Sequence, residues 1–290
     1  MNKQILDLYT DYIISSFSKT TATGLSRLLD GVITHDVVTN FLAEEELTSK
    51  DLWKEVKKDV RQIESEASCL VFDDTIVEKP SSGENEIVCY HWDHCKNSNV
   101  KGMNLLNCIY YSQGVRLPIA YETVRKEEQF LDPKTKKMKR RSRVSKNELL
   151  RSMLQTATQN RVQYRYVLTD IWFAASDNMI FIKKKLKKDF VMAMKSNRQV
   201  AVSQKNKLNG CYMSIESLPF KEEEPLKVYL KELDFPVLLI KQIFTNKDAS
   251  EEIFICSVVT SPSISPKFKH SIKKDGVLRS FTNRSNPTRD

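Results

Sequence analysis

Two short apolar strings, each running straight into acidic residues, constrain this chain more than any other feature. Cys69-Leu70-Val71-Phe72 leads into Asp73-Asp74-Thr75, and far downstream Tyr166-Val167-Leu168-Thr169 leads into Asp170. Apolar runs of this length with turn residues beyond them suit central strands of a sheet. Carboxylates at neighbouring strand ends can hold a divalent metal, and metal on a basic protein points to phosphodiester chemistry. Successive side chains on a strand point to opposite faces, so only one of Asp73 and Asp74 can serve a shared site. The plain alternative is that each Asp is a solvated strand-end residue making an Asx turn.

The charge balance agrees with a polyanionic partner. Lys and Arg number 46 against 37 Asp and Glu, a formal net charge of +9, and the 290 residues are 40% apolar, enough for a real core. No run of about 18 apolar residues occurs, so no membrane span is expected. Met1-Asn2-Lys3-Gln4 lacks a signal-peptide pattern, and the six cysteines lie among apolar neighbours. Both fit reduced thiols in a cytoplasm rather than disulfides.

Residues 1–66 read as helical. Ile5, Leu8, Tyr9, Tyr12 and Ile13 recur at helical spacing, and helices over 22–30 and 34–45 are separated at Gly31, with Thr34 placed to cap the second. Such a pair fits either a helix-turn-helix whose second helix enters a DNA groove or an ordinary helical bundle. An amphipathic helix over 53–66 follows. The pattern then changes to a strand at 69–75, a loop at 80–85, and strands at 103–111 and 115–122 about Ser112-Gln113-Gly114, a hairpin signal. A basic loop, a helix over 146–160, the strand ending at Asp170 and a helix over 176–188 complete the series. Strand, hairpin, helix, strand, helix is the order of a ribonuclease H-like core, so the expected class is α/β (mixed α+β), a mixed sheet with flanking helices. Residues 67–190 form that core, 191–260 read as a β-rich insertion, and 261–290 as an aberrant polar tail.

Asp74 and Asp170 lead the candidate site residues. Cys89, His91, His94 and Cys95 place four soft ligands close together, but no second pair at zinc spacing accompanies them, so ordinary packing is the expected reading. Tyr90-His91-Trp92, with Asp93 and Lys96, would suit the border of a nucleic-acid path. The run Lys134, Lys136, Lys137, Lys139, Arg140, Arg141, Arg143 and Lys146 contains no acid. It reads either as a solvated flexible loop or as phosphate-contacting charge, with Lys136, Lys137, Lys139, Arg140, Arg141 and Arg143 as the DNA-binding candidates. Lys183, Lys184, Lys185, Lys187 and Lys188 read as the polar face of a helix. Lys195, Asn197 and Arg198 would extend the basic surface.

Several strings resemble one family. Asp73-Asp74-Thr75-Ile76-Val77-Glu78-Lys79-Pro80, Tyr90-His91-Trp92-Asp93-His94, Val100-Lys101-Gly102-Met103-Asn104 and Leu168-Thr169-Asp170-Ile171-Trp172-Phe173 resemble the DDE transposases of bacterial insertion sequences, of the insertion-sequence-four type. The similarity runs from about residue 1 to 260. It implies a ribonuclease H-like catalytic core with a β-rich insertion, and cut-and-paste transposition with Mg2+ or Mn2+. By position, Asp74 and Asp170 match the first two metal ligands. Double-stranded DNA, as terminal inverted repeats and target, is the implied partner. A homodimer on paired ends is the implied assembly, in a bacterial cytoplasm at the nucleoid.

The family's third carboxylate is a Glu in a late helix, within the signature Tyr, two residues, Arg, three residues, Glu, six residues, Lys. This chain lacks it; Glu251, Glu252, Asp275 and Asp290 are conceivable substitutes, none on a convincing late helix. Reading 271–286 one nucleotide out of frame permits Tyr-Lys-Lys-Arg-Trp-Ser-Val-Glu-Glu-Phe-His-Lys-Ser-Leu-Lys, which has the family spacing throughout. The expectation is a frameshift between about 259 and 270, with severely impaired catalysis and poor solubility as its consequences. The alternatives are a non-catalytic DNA-binding remnant and another ribonuclease H-like nuclease, such as a junction resolvase.

Overall fold

A computed structural model describes residues 3–17, 19–44, 47–94, 96–219, 224–245 and 251–258, with backbone alone from 242 onward. The tail singled out above therefore lies outside the described residues. The chain divides into two compact units, Met1–Asp51 and Leu52–Asp290.

The first unit is helical, as its periodicity predicts. It holds α1 (Lys3–Ser15), α2 (Ala22–Leu28) and α3 (His35–Glu44). The Thr21 hydroxyl caps α2 by accepting the Gly24 N–H at 2.9 Å, and Thr34 accepts the Val37 N–H at 3.5 Å ahead of α3. Tyr12, Leu25 and Val38 form its buried centre. The next helix, α4 (Ser49–Ile63), starts in this unit; its Trp53 and Val60 belong to the main core of the second.

The second unit is built on one mixed sheet. Its strands are β1 (Cys69–Glu78), β2 (Cys89–Asp93), β3 (Ser98–Ser112), β4 (Val115–Thr123), β7 (Tyr166–Thr169), β8 (Asp189–Ala193), β9 (Gln199–Ala201), β10 (Met213–Ser214), β11 (Leu226–Leu230), β12 (Val237–Thr245) and β13 (Glu251–Val258). A separate hairpin pairs β5 (Glu128–Leu131) with β6 (Met138–Arg141). The main order is β10-β9-β11-β12-β13-β8-β7-β1-β3-β2, with β4 also paired to β3. Within it, β1 and β4 run antiparallel to β3, while β7 lies parallel to both β1 and β8. The arrangement β4-β3-β1-β7-β8, with helix α5 (Lys146–Gln159) between the hairpin and β7, is a ribonuclease H-like core. The strands after β8 continue the same sheet, because β13 returns to pair with β8.

Two local sequences fix this register. Gln113 (φ 51) and Gly114 (φ 85) make the tight turn between β3 and β4, a position where glycine costs least. At Gly102 an added Cβ would collide with the Val77 carbonyl, so β1 can approach β3 this closely only at a glycine. The two sheet faces then carry different cores. Leu70 and Phe72 of β1, Leu106, Cys108 and Tyr110 of β3 and Val167 of β7 share the main core with Leu150, Met153, Leu154 and Ala157 of α5. Cys69, Val71, Tyr166 and Leu168 belong to a smaller cluster with Tyr111, Val191 and Ile240.

Two expectations change. The basic stretch read as a loop is largely the β5–β6 hairpin. Its turn is organised by Asp132, which accepts from the Thr135 hydroxyl at 2.8 Å and the Lys134 N–H at 3.1 Å. The dense cations had hidden a strand pair. The helix expected over 176–188 is α6 (Ser176–Ile180), which widens into a π-helical turn at Phe181–Lys185. A short α7 (Gln204–Leu208) completes the elements.

Candidate functional site

The two acidic strings meet. Strands β1 and β7 are adjacent and parallel, and their pairing ends at Phe72 with Thr169. The next step along both strands sets Asp73 beside Asp170, with Asp74 one residue further. Asp170 leaves the strand and caps a short 3-10 turn, Ile171–Phe173, accepting the Trp172 N–H at 3.1 Å. Burial pushes its carboxyl up to about 7; the charges of Asp73 and then Asp74 push the same way, and the Trp172 and Phe173 N–H groups oppose them.

Asp74 continues the main-core face of β1. Its Oδ2 accepts from Lys146 Nζ at 2.5 Å, at the start of α5, and from Asn104 Nδ2 at 2.9 Å on β3. Asp73 continues the opposite face, the one that carries Cys69 and Val71. Alternation admitted only one of Asp73 and Asp74 to the site, and the family resemblance pointed to Asp74; the structure adds Asp73 as the larger electrostatic neighbour of Asp170. By register, Glu122 of β4 lies across Leu106 from Asp74. It is half-buried, and burial raises its carboxyl against the pull of Arg125. Among the described residues no three acidic, imidazole or thiol groups converge tightly enough to hold a metal.

The turn after Asp170 is held from two sides. Asn178 donates from Nδ2 to the Phe173 carbonyl at 2.9 Å and to Asn147 Oδ1 at 2.7 Å, while its Oδ1 accepts from Arg151 at 2.7 Å. These bonds tie α5 to the segment that carries Asp170. Arg198 donates to the Ala174 carbonyl and, at 3.0 Å, to the Ser176 hydroxyl. It is therefore a brace for this turn and not the surface cation the sequence suggested. Trp172 is 48% exposed; its ring stacks on His94 at 4.0 Å, and Lys195 Nζ lies 5.0 Å from its centroid.

The remaining candidates divide. Cys89 and His91 share the buried face of β2, with Sγ 3.3 Å from Nε2. Burial, then Lys126 and Lys146, depress the His91 imidazole to about 4, and burial raises the Cys89 thiol. His94 turns away to Trp172, so the ligands read together in sequence part company, and Cys95 lies outside the described residues. Cys69, Cys89, Cys108 and Cys211 are free thiols.

The basic run carries less surplus charge than its sequence implies. Lys139 pairs with Asp132, Arg140 with Glu84 at 3.2 Å, and Arg141 and Arg143 with Glu128 at 2.7 and 3.2 Å. Lys134, Lys136 and Lys137 are exposed at the hairpin turn. In the second run, Lys183 pairs with Asp189 at 2.7 Å and Lys184 with Asp234 at 2.8 Å. Asn104 and Asn178 escaped the sequence reading; their only signal was an amide interrupting an apolar pattern.

A family model for the DDE superfamily endonuclease matches residues 2–209. Among solved structures, the Drosophila P element transposase strand transfer complex matches at 10% identity with a TM-score of 0.31. That match covers 72% of this chain and 47% of the other, so the chain spans about half the length of that protein. No curated protein matches significantly.

Proposed function

Because this chain belongs to the DDE superfamily endonucleases, we propose that it derives from a transposase that cuts and joins DNA strands at the inverted repeats of an insertion sequence. The observation that carries this reading is the meeting of acidic side chains from β1 and β7, where burial and neighbouring negative charge raise Asp170 to about 7. The hard oxygen donors of such a set fit Mg2+ or Mn2+. Asp74 and Asp170 would hold that cation, with Asp73 as the competing ligand from β1. A cation bound there would supply Lewis acidity and a more acidic water.

The chain's own groups do the positioning. The sheet fixes the β1 carboxylates, and the Trp172 N–H orients Asp170. Lys146 brings positive charge to the place where a scissile phosphate would sit. Water would attack phosphorus in line and release a 3′-hydroxyl, which would then attack a target phosphorus in line and displace the 3′-oxygen of that strand. Exposed cations at the hairpin turn would hold the duplex through its phosphates, and paired ends would call for a homodimer. The insertion-sequence-four type and the frameshifted tail are part of this proposal. The nucleotide sequence past codon 255 tests the latter, and an absent Glu codon in the alternative frame would end it.

A second reading has one observation in its favour: among the described residues no three acidic, imidazole or thiol groups converge tightly enough to hold a metal. It is a DNA-binding remnant without cleavage. Incubation with inverted-repeat DNA and Mg2+ separates the two. Cleavage lost in both Asp74→Asn and Asp170→Asn supports the enzyme; binding without any cutting supports the remnant.

A further inference from the structure

We propose that Asn104 is an additional, neutral oxygen ligand for a divalent cation at Asp74, and that Lys146 is a tethered ammonium holding that cation's place. The inference rests on the assignment of Asp74 to the cation site. Asn104 lies on the main-core face of β3 and is 1% exposed. Its Nδ2 donates to Asp74 Oδ2, but its Oδ1 is buried without a hydrogen-bond partner. Buried amides are normally satisfied at both ends, so an orphaned oxygen calls for an explanation. Exchanging the oxygen and nitrogen would aim the oxygen at a carboxylate and leave the N–H groups orphaned instead. Neither setting satisfies both ends of the amide, and a cation at Asp74 favours the second: turned over, the amide offers it a carbonyl oxygen, a common ligand for hard divalent ions.

Lys146 supplies the second, independent observation. It is the first residue of α5, whose start is fixed by a capping box between Ser145 and Glu148. The start of a helix is its positive end, where an ammonium is disfavoured. Lys146 nevertheless sits there and places Nζ 2.5 Å from Asp74 Oδ2. The helix start thus opposes the charge that Asp74 attracts, as expected where a stronger cation can replace the ammonium. With its side chain 38% exposed, Lys146 has a route towards solvent when displaced.

Calorimetric titration of the full chain with Mn2+, without DNA, tests this. Asn104→Leu should weaken binding about tenfold or more, in the range seen when groups supporting a metal site are removed. Asn104→Asp should keep or tighten it, Lys146→Met should tighten it severalfold, and Asp74→Asn should abolish it. If Asn104→Leu fails to fold, Asn104→Asp and Lys146→Met decide the matter by their direction. Wild-type binding that Asp74→Asn abolishes, but that neither Asn104→Leu nor Lys146→Met alters, overturns this inference and leaves the function intact. No Mn2+ binding by the wild type overturns both.

Discussion

Asp170 is a carboxyl group asked to ionise where burial and two neighbouring Asp charges resist it. Its folded pKa, about 7, lies above the ordinary value of about 4. The neutral form therefore favours the fold. That contribution is fully present below about pH 4 and is lost as pH rises through about 7. Without metal, the melting temperature should fall between about pH 4 and 7, and Asp170→Asn should flatten that slope and melt a few degrees higher at about pH 8. A pH profile unchanged by Asp170→Asn would show that burial does not hold this group neutral. A divalent cation competes with the same proton, so cleavage should climb across neutral pH. The rival ligands on β1 can be ranked directly: whichever of Asp73→Asn and Asp74→Asn removes cleavage names the strand face that the site uses.

At the scale of elements, the site depends on how β1, β3 and α5 are held. Gly102→Ala should destabilise the second unit by about 1–3 kcal/mol in denaturant unfolding, because the new methyl meets the Val77 backbone, which cannot rotate away. Ser145→Ala removes the α5 cap at a cost of about 1 kcal/mol. It should also loosen Lys146, the next residue, and so alter Mn2+ affinity. Strands β1 and β7 were legible in sequence because central strands are apolar on both faces. The β3–β4 hairpin was legible because Gln113-Gly114 is a turn in any context. The β5–β6 hairpin was not: its apolar alternation is thin, and the acids that pair with its cations lie outside the basic run. Alternation also shows that Asp73 and Asp74 face opposite ways, but not which way Asp170 turns after leaving β7. Asn104 looked like one more polar residue on a strand until the structure put it on the core side.

For the whole molecule, the proposed DNA path predicts a dependence on salt. Replacing Lys136 and Lys137, exposed at the hairpin turn, should weaken binding to all duplexes alike. The slope of log affinity against log salt should flatten by about one for each phosphate that the protein ceases to touch. An unchanged slope would place the duplex elsewhere. The parallel pairing of β1 with β7 has a further consequence. A chain emerging from the ribosome carries Asp74 long before Asp170 exists, and a half-made sheet brings no second carboxylate to it. The paired acidic strand ends are thus withheld until synthesis of the core is finished, an interlock written into strand order alone.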